Sequence, residues 1–144
     1  MGIEDIDFLR AVADTLLPGG AIGHGVVLPA ASEVDTHVEL EKWLTVELSL
    51  ANALDLIAAS AGEKEAFVHA DNDVRVSIIA KAQMENPAAL ATLISRSLCH
   101  YYECPRIIEA FGWPSRPPQP LGHELVAFNQ DLLDPVRRRG SILR

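Results

Sequence analysis

The amino-acid sequence predicts an all-α fold, an irregular helical bundle that carries a Gly-rich loop and a Pro-rich extended C-terminal arm. Hydrophobic residues make up 49% of the 144 residues, while aromatic residues make up only 6%. A chain whose apolar content comes mainly from Ala, Leu, Val and Ile is typical of packed helices. Apolar residues also recur at helical spacing, and no segment alternates with period two for long enough to build a sheet. The length fits one domain, which we place at residues 1–134, followed by a basic tail at 135–144.

The first helix is predicted from Ile3 to Leu17, because its apolar residues follow helical spacing and its acidic residues gather in the first turn. The sequence Pro18-Gly19-Gly20 ends this helix. Residues 19–29 contain four glycines and the lone His24. Since glycine and proline at this density interrupt regular structure, the segment is predicted to be an ordered loop.

A long second helix is predicted next. Ser32 is a good N-cap residue, and the apolar residues that follow it form one stripe as far as Ser60. We therefore expect an unbroken helix of about 26 residues, closed by Gly62 as a C-terminal glycine. The members of the stripe are Val34, Val38, Leu44, Leu48, Ala51, Leu54 and Ala58.

Three shorter helical segments and a Pro-rich arm are predicted after Gly62. They are a short helix at 63–70, a helix capped by Asn72 or Asp73, and a helix that Asn86 caps with Pro87 at its first position. Another short helix at 106–111 ends at Gly112. The arm at 113–122 contains four prolines, so it is predicted to be extended and polyproline-like, with a helix at best over 123–133.

The formal net charge of −8 disfavours nucleic-acid binding, because a negative field repels phosphate backbones. Positive charge gathers only in the tail, at Arg137, Arg138, Arg139 and Arg144. Two interpretations of this tail remain open: docking in an acidic groove of a partner, or a solvated, frayed terminus.

The N-terminus is acidic and shows neither the basic start of a secretory signal nor a twin-arginine motif. No run of apolar residues is long enough to span a membrane. We therefore expect a cytoplasmic protein, with a periplasmic location in company with a partner as the alternative.

Residue patterns that support catalysis or metal binding are weak in this chain. His100 and Glu103 have the i, i+3 spacing of di-iron bundles, but the second pair that such a site needs is missing. The glycines near His24 follow a helix and not a strand, which argues against a dinucleotide site. The sequence thus predicts no catalytic residue, no cofactor-binding residue and no metal ligand. Cys99 and Cys104 are predicted to be free thiols, buried or partly buried.

The most unusual feature is a group of aromatic residues beside the Pro-rich arm. In a chain with few aromatics, such a group beside an extended segment indicates either a partner interface or a cover for the end of the bundle. The predicted interface residues are Tyr101, Tyr102, Phe111, Trp113, Pro114, Pro117, Pro118 and Pro120.

Two motifs resemble the gluconate 2-dehydrogenase subunit 3 family. Residues Ala13-Asp14-Thr15-Leu16-Leu17-Pro18 are similar to the family's A-x-x-[IL]-[IL]-P opening. Tyr101-Tyr102-x-x-Pro105, Phe111-Gly112-Trp113-Pro114 and Pro118-x-Pro120-x-Gly122 are similar to its Y-Y-x-x-P, G-[WY]-P and P-x-P-x-G end. The resemblance spans roughly residues 5 to 125, and the late motif is the more specific of the two.

The resemblance implies a non-catalytic small subunit of an FAD-dependent dehydrogenase that oxidises sugars, polyols or related alcohols. In such a heteromer the large subunit, of the glucose-methanol-choline (GMC) oxidoreductase type, holds FAD and abstracts the hydride. Electrons then pass to a cytochrome c or another acceptor. The small subunit has a chaperone-like role, supporting the folding of the flavoprotein. In many family members it also carries a twin-arginine signal, from which this N-terminus departs.

Two alternatives remain open. One is a free-standing helical adaptor or chaperone for another client protein. The other is an independent enzyme that uses His24, His100 or Glu103.

Overall fold

The computed structural model describes residues 3–113 and 133–138, and its helices confirm the predicted all-α class. The helices are α1 (Ile3–Leu16), α2 (Thr36–Trp43), α3 (Leu48–Ala61), α4 (Lys64–His69), α5 (Asn72–Glu85), α6 (Pro87–Glu103), α7 (Pro105–Ala110) and α8 (Asp134–Arg138). Helix α8 crosses the predicted start of the tail at residue 135. The predictions for residues 114–132 and 139–144 lie outside the described residues.

The core lies where α1, α3 and α6 meet. Phe8 of α1 and Phe67 of α4 contact each other edge to face, with ring centroids 5.6 Å apart. Burial of such side chains contributes about 1.5–3 kcal/mol each, so this layer stabilises the bundle more than any surface contact does. Further core side chains that are fully enclosed are Leu9, Val12, Leu50, Ile57, Leu90 and Leu93.

The prediction of one unbroken helix from Ser32 to Ser60 is wrong. This segment forms a 3₁₀ turn at Ala31–Val34, then α2 and then α3, and α3 is bent by 117° from α2. Asp35 interrupts the chain in a left-handed conformation with φ 58°, and Glu47 is extended before α3. The bend allows both helices to pack against α6, whereas one straight helix of that length would project beyond a domain about 30 Å across.

Ser32 therefore does not cap a helix with its side chain. Its backbone N–H donates to Asp14 Oδ1 at 2.7 Å, which ties the 3₁₀ turn to α1. The break also turns Val38 and Leu48 of the predicted stripe to the surface. The buried face of α3 is formed instead by Leu50, Ala53, Leu54 and Ile57.

The predicted Gly-rich loop contains a β-hairpin. Strand β1 (Gly20–Gly23) pairs antiparallel with β2 (Val26–Leu28), with an irregular register between Ala21 and Gly23. These are the strands of the described part of the chain, and they are too short to produce an alternating sequence pattern. Gly19 permits the entry into the hairpin, since its φ is 70° and a Cβ there would lie 2.5 Å from the Ala30 nitrogen.

Several local predictions are confirmed. Helix α4 falls within the predicted short helix, and Gly62 follows α3 as its C-cap. Asn86 Oδ1 accepts a hydrogen bond from the Ala89 backbone N–H at 3.1 Å, with Pro87 in the first helical position. The two cysteines are free thiols, but Cys99 is exposed and only Cys104 is partly buried.

Among the described helices, no single one has the length and apolar character needed to cross a membrane. The pair α2 and α3 passes that test together by length and composition, but with the 117° bend between them.

Candidate partner-binding surface

The four aromatic residues around the end of α6 and α7 contact one another in sequence. Tyr101 meets Tyr102 edge to face with centroids 5.3 Å apart. Tyr102 lies 6.3 Å from Phe111, and Phe111 stacks on Trp113 at 5.1 Å with 22° between the ring planes. We call these four residues the aromatic row. Their separations fall in the range that stabilises aromatic pairs, so the row is an ordered unit.

The members of the aromatic row differ in their access to solvent. Tyr102 is 48% exposed and Trp113 is 62% exposed, while Phe111 is partly buried. Tyr101 is only 1% exposed, so the prediction that it offers surface to a partner is corrected. Its ring packs inside the bundle as the support on which the accessible rings lie.

The chain ending of α7 places Trp113 on Phe111. Gly112 adopts a left-handed conformation with φ 69°, as predicted for a glycine that ends a helix. The Gly112 N–H donates to the Glu109 carbonyl at 2.8 Å, and the Trp113 N–H donates to the Ile108 carbonyl at 3.1 Å. These two bonds form a Schellman motif, which turns the chain back and fixes the start of the Pro-rich segment.

The remaining predicted interface residues, Pro114, Pro117, Pro118 and Pro120, lie outside the described residues. Their contribution to an interface therefore stays a prediction. The described part of the surface ends at Trp113.

Side chains of α6 and α7 hold the main chain that joins the hairpin to α2, residues 29–34, which we call the junction segment. Three of its carbonyl oxygens accept hydrogen bonds from these two helices. The bonds run from Tyr101 Oη to Pro29 O at 2.6 Å, from His100 Nε2 to Val34 O at 3.2 Å and from Arg106 to Glu33 O at 2.7 Å. Because a carbonyl only accepts, Nε2 of His100 carries its proton.

The junction segment is also fixed from α1. The Ala31 N–H donates to the Leu17 carbonyl at 3.0 Å, in addition to the bond from Ser32 to Asp14. The junction segment is thus held from two sides, and the hairpin that precedes it has a fixed position relative to the aromatic row.

Burial raises the pKa of the Tyr101 hydroxyl above its ordinary value, with the nearby Tyr102 and Glu33 adding to the effect. A raised pKa keeps this hydroxyl protonated over the whole neutral range. The hydroxyl therefore remains a donor to Pro29, and the link between the aromatic row and the hairpin does not depend on pH near neutrality.

The outer face of the hairpin was missed by the sequence prediction. Ile22 is 54% exposed and Val27 is 66% exposed, and every residue of β1 is exposed. One sequence signal was available, because the chain contains no Asp, Glu, Lys or Arg between Asp14 and Glu33. Exposed apolar side chains in an uncharged stretch indicate an interaction surface more than a solvated loop does.

A second missed cluster joins α2, α3 and α6. The Arg96 guanidinium lies 4.0 Å from the Trp43 ring centroid and bonds both carboxylate oxygens of Glu47, at 2.8 and 3.4 Å. The bond to Glu47 raises the pKa of Arg96. This arrangement fastens the bend between α2 and α3 to α6, and a sequence separation of about fifty residues hid it.

The histidines that the sequence singled out do not converge. His24 lies in the hairpin turn with φ 50°, His37 is buried in α2, and His100 bonds the junction segment. Within residues 3–113 and 133–138, no three His, Cys, Asp or Glu side chains come together as a metal site.

Comparison with known proteins adds no relative to this description. The chain matches no family model, no curated protein and no solved structure.

Proposed function

We propose that this chain is the non-catalytic small subunit of an FAD-dependent dehydrogenase of the GMC type, which it stabilises and helps to mature. The large subunit would hold FAD and oxidise a sugar, polyol or secondary alcohol, passing electrons to a cytochrome c or another acceptor. The resemblance of the two motifs to the gluconate 2-dehydrogenase subunit 3 family supplies this identity for the partner.

The observation that carries the proposal is the exposed part of the aromatic row. Trp113, Tyr102 and Phe111 form a stacked group at the surface, and two of the three rings are about half exposed or more. Aromatic residues of this kind are enriched at the centres of protein interfaces, where they supply much of the binding energy. The same rings belong to the motif that resembles the family.

The way these rings are supported also favours a binding role. Tyr101 lies buried beneath Tyr102, and the Schellman motif fixes Trp113. A surface that is ordered before binding loses less conformational entropy on association. The aromatic row is therefore suited to an obligate contact, which should bury more than about 2,000 Å² in total.

The test is affinity capture of the tagged chain from its native cells, followed by an absorption spectrum of the co-eluting protein. We expect a yellow partner with flavin absorption bands that releases FAD on denaturation. A colourless client would favour the alternative of a helical adaptor or chaperone, and a folded chain that elutes alone would refute a partner-dependent role.

A variant series locates the contact. Trp113→Ala should weaken the complex by roughly 2–4 kcal/mol if this ring anchors the interface. Met84→Ala is the matched control, because Met84 is an equally large, exposed apolar residue on α5. Equal affinities of the two variants would remove the aromatic row from the interface.

A further inference from the structure

We infer that the outer face of the hairpin and the exposed rings of the aromatic row form one two-part binding surface, which receives an uncharged, apolar surface of the partner protein, and that Tyr101 holds the two parts in a fixed relation. This inference rests on the proposed function for the identity of the partner. It adds the hairpin to the contact and names the chemistry that the hairpin recognises.

The first step is the physical connection between the two parts. The Tyr101 ring contacts Tyr102 at 5.3 Å, and its hydroxyl donates to Pro29 O at 2.6 Å. Pro29 directly follows Leu28, the last residue of β2. One buried side chain therefore spans from the aromatic row to the base of the hairpin, and α7 also packs against β2.

The second step is the alternation of side chains in the hairpin. Leu28 is buried, and it anchors the hairpin to the bundle. Val27, paired with Ala21 across the strands, points to solvent together with Ile22. The inward residue is thus used for folding, while the outward apolar residues have no role in the core.

The third step is charge. The uncharged stretch between Asp14 and Glu33 contrasts with a chain whose net charge is −8. Burying an unpaired charge at an interface is costly, so a surface that lacks charge fits a partner surface that lacks it too. An anionic membrane is disfavoured as the occupant, because the acidic body of the chain would be repelled by it.

The closing experiment measures the affinity of tagged variants for the protein that the wild-type chain captures. Val27→Asp and Ile22→Asp each place a charge on the outer face of the hairpin, and Met84→Asp places the same charge on α5. Circular dichroism and melting temperature confirm that each variant folds. We expect the two hairpin variants to bind roughly ten-fold or more weakly, and the control to bind within about two-fold of wild type.

Tyr101 is tested as a positioning residue by a double-mutant cycle. Tyr101→Phe removes the hydroxyl that holds the hairpin, and Val27→Asp disables the hairpin itself. If the hydroxyl acts by presenting the hairpin, the double variant should bind about as weakly as Val27→Asp alone. Additive losses would contradict the positioning role, because a merely structural effect would not depend on Val27.

The outcomes separate this inference from the proposed function. If Val27→Asp binds like wild type while Trp113→Ala is weakened, the two-part surface is refuted and the flavoprotein partner stands. If the captured protein lacks flavin but loses affinity for both variants, the two-part surface stands and the proposed function fails. Binding to vesicles of phosphatidylcholine and phosphatidylserine that both hairpin variants abolish would replace the protein partner by a membrane, and a chain that binds nothing overturns both proposals.

Discussion

Replacement of Tyr101 by Phe isolates one hydrogen bond that links the aromatic row to the junction segment. The ring is 1% exposed, and its hydroxyl lies 2.6 Å from Pro29 O. Phenylalanine keeps the ring and its contact with Tyr102, so core packing is preserved. Loss of the bond removes about 1 kcal/mol and leaves a poorly solvated carbonyl behind, for a total of about 1–3 kcal/mol.

The free energy of unfolding is measured by urea denaturation, with thermal melting as a second method. For a chain of this length, 1 kcal/mol lowers the melting temperature by about 2–4 °C. Tyr102→Phe is the matched control, since its ring is half exposed and its hydroxyl bonds no described residue. Equal stability of Tyr101→Phe and Tyr102→Phe would refute the reasoning, because it would mean that the bond to Pro29 contributes nothing.

Three further predictions concern the same framework. Gly19→Ala should lower the free energy of unfolding by more than about 2 kcal/mol, because its Cβ would overlap the Pro29–Ala30 backbone at a φ of 70°; Gly25→Ala, at φ 78° but with no atom within 4 Å, should cost only about 1–2 kcal/mol, and chemical denaturation compares them. Arg96→Lys should lower the melting temperature by losing the stacked, two-point contact with Trp43 and Glu47, and an unchanged melting curve would show that this contact is not needed. Finally, since the pKa of Tyr101 is raised in the folded chain, the unfolded chain releases this proton first, so stability is retained below pH ~10 and falls as the pH rises further; the alkaline loss should be smaller in Tyr101→Phe, and identical pH profiles would contradict the assignment.

The helix ends that the sequence predicted well are those with strong local chemistry. Asn86 followed by Pro87 begins α6, and Gly112 ends the segment after α7, because capping and left-handed geometry depend on a few adjacent atoms. The stripe of apolar residues in α6 was likewise readable, since Leu90, Leu93 and Tyr101 repeat at the helical period.

The bend between α2 and α3 was not predictable in the same way. Nothing in residues 44–47 is a strong helix breaker, and the break is stabilised by contacts far away in sequence, such as Arg96 with Glu47. The left-handed Asp35 is also set by tertiary contacts, since its neighbours Val34 and Thr36 are both buried. Tertiary packing therefore overrides local propensity at both positions.

The candidate surface was only partly predictable. The sequence located Tyr102, Phe111 and Trp113 through their rarity and spacing, but it could not tell them from Tyr101, whose burial depends on the hairpin. The exposure of Ile22 and Val27 follows from a three-pair strand ladder, which is shorter than any pattern that alternation can reveal.

The central claim, that this chain stabilises and matures a flavoprotein, is tested most directly by expressing the captured partner with and without it. The quantity to measure is the amount of soluble, FAD-loaded partner, read from its flavin absorption relative to total partner protein. The account predicts a folded, yellow partner only when the chain is co-expressed, and a reduced yield with Trp113→Ala. An equal yield of FAD-loaded partner in the absence of the chain would contradict it.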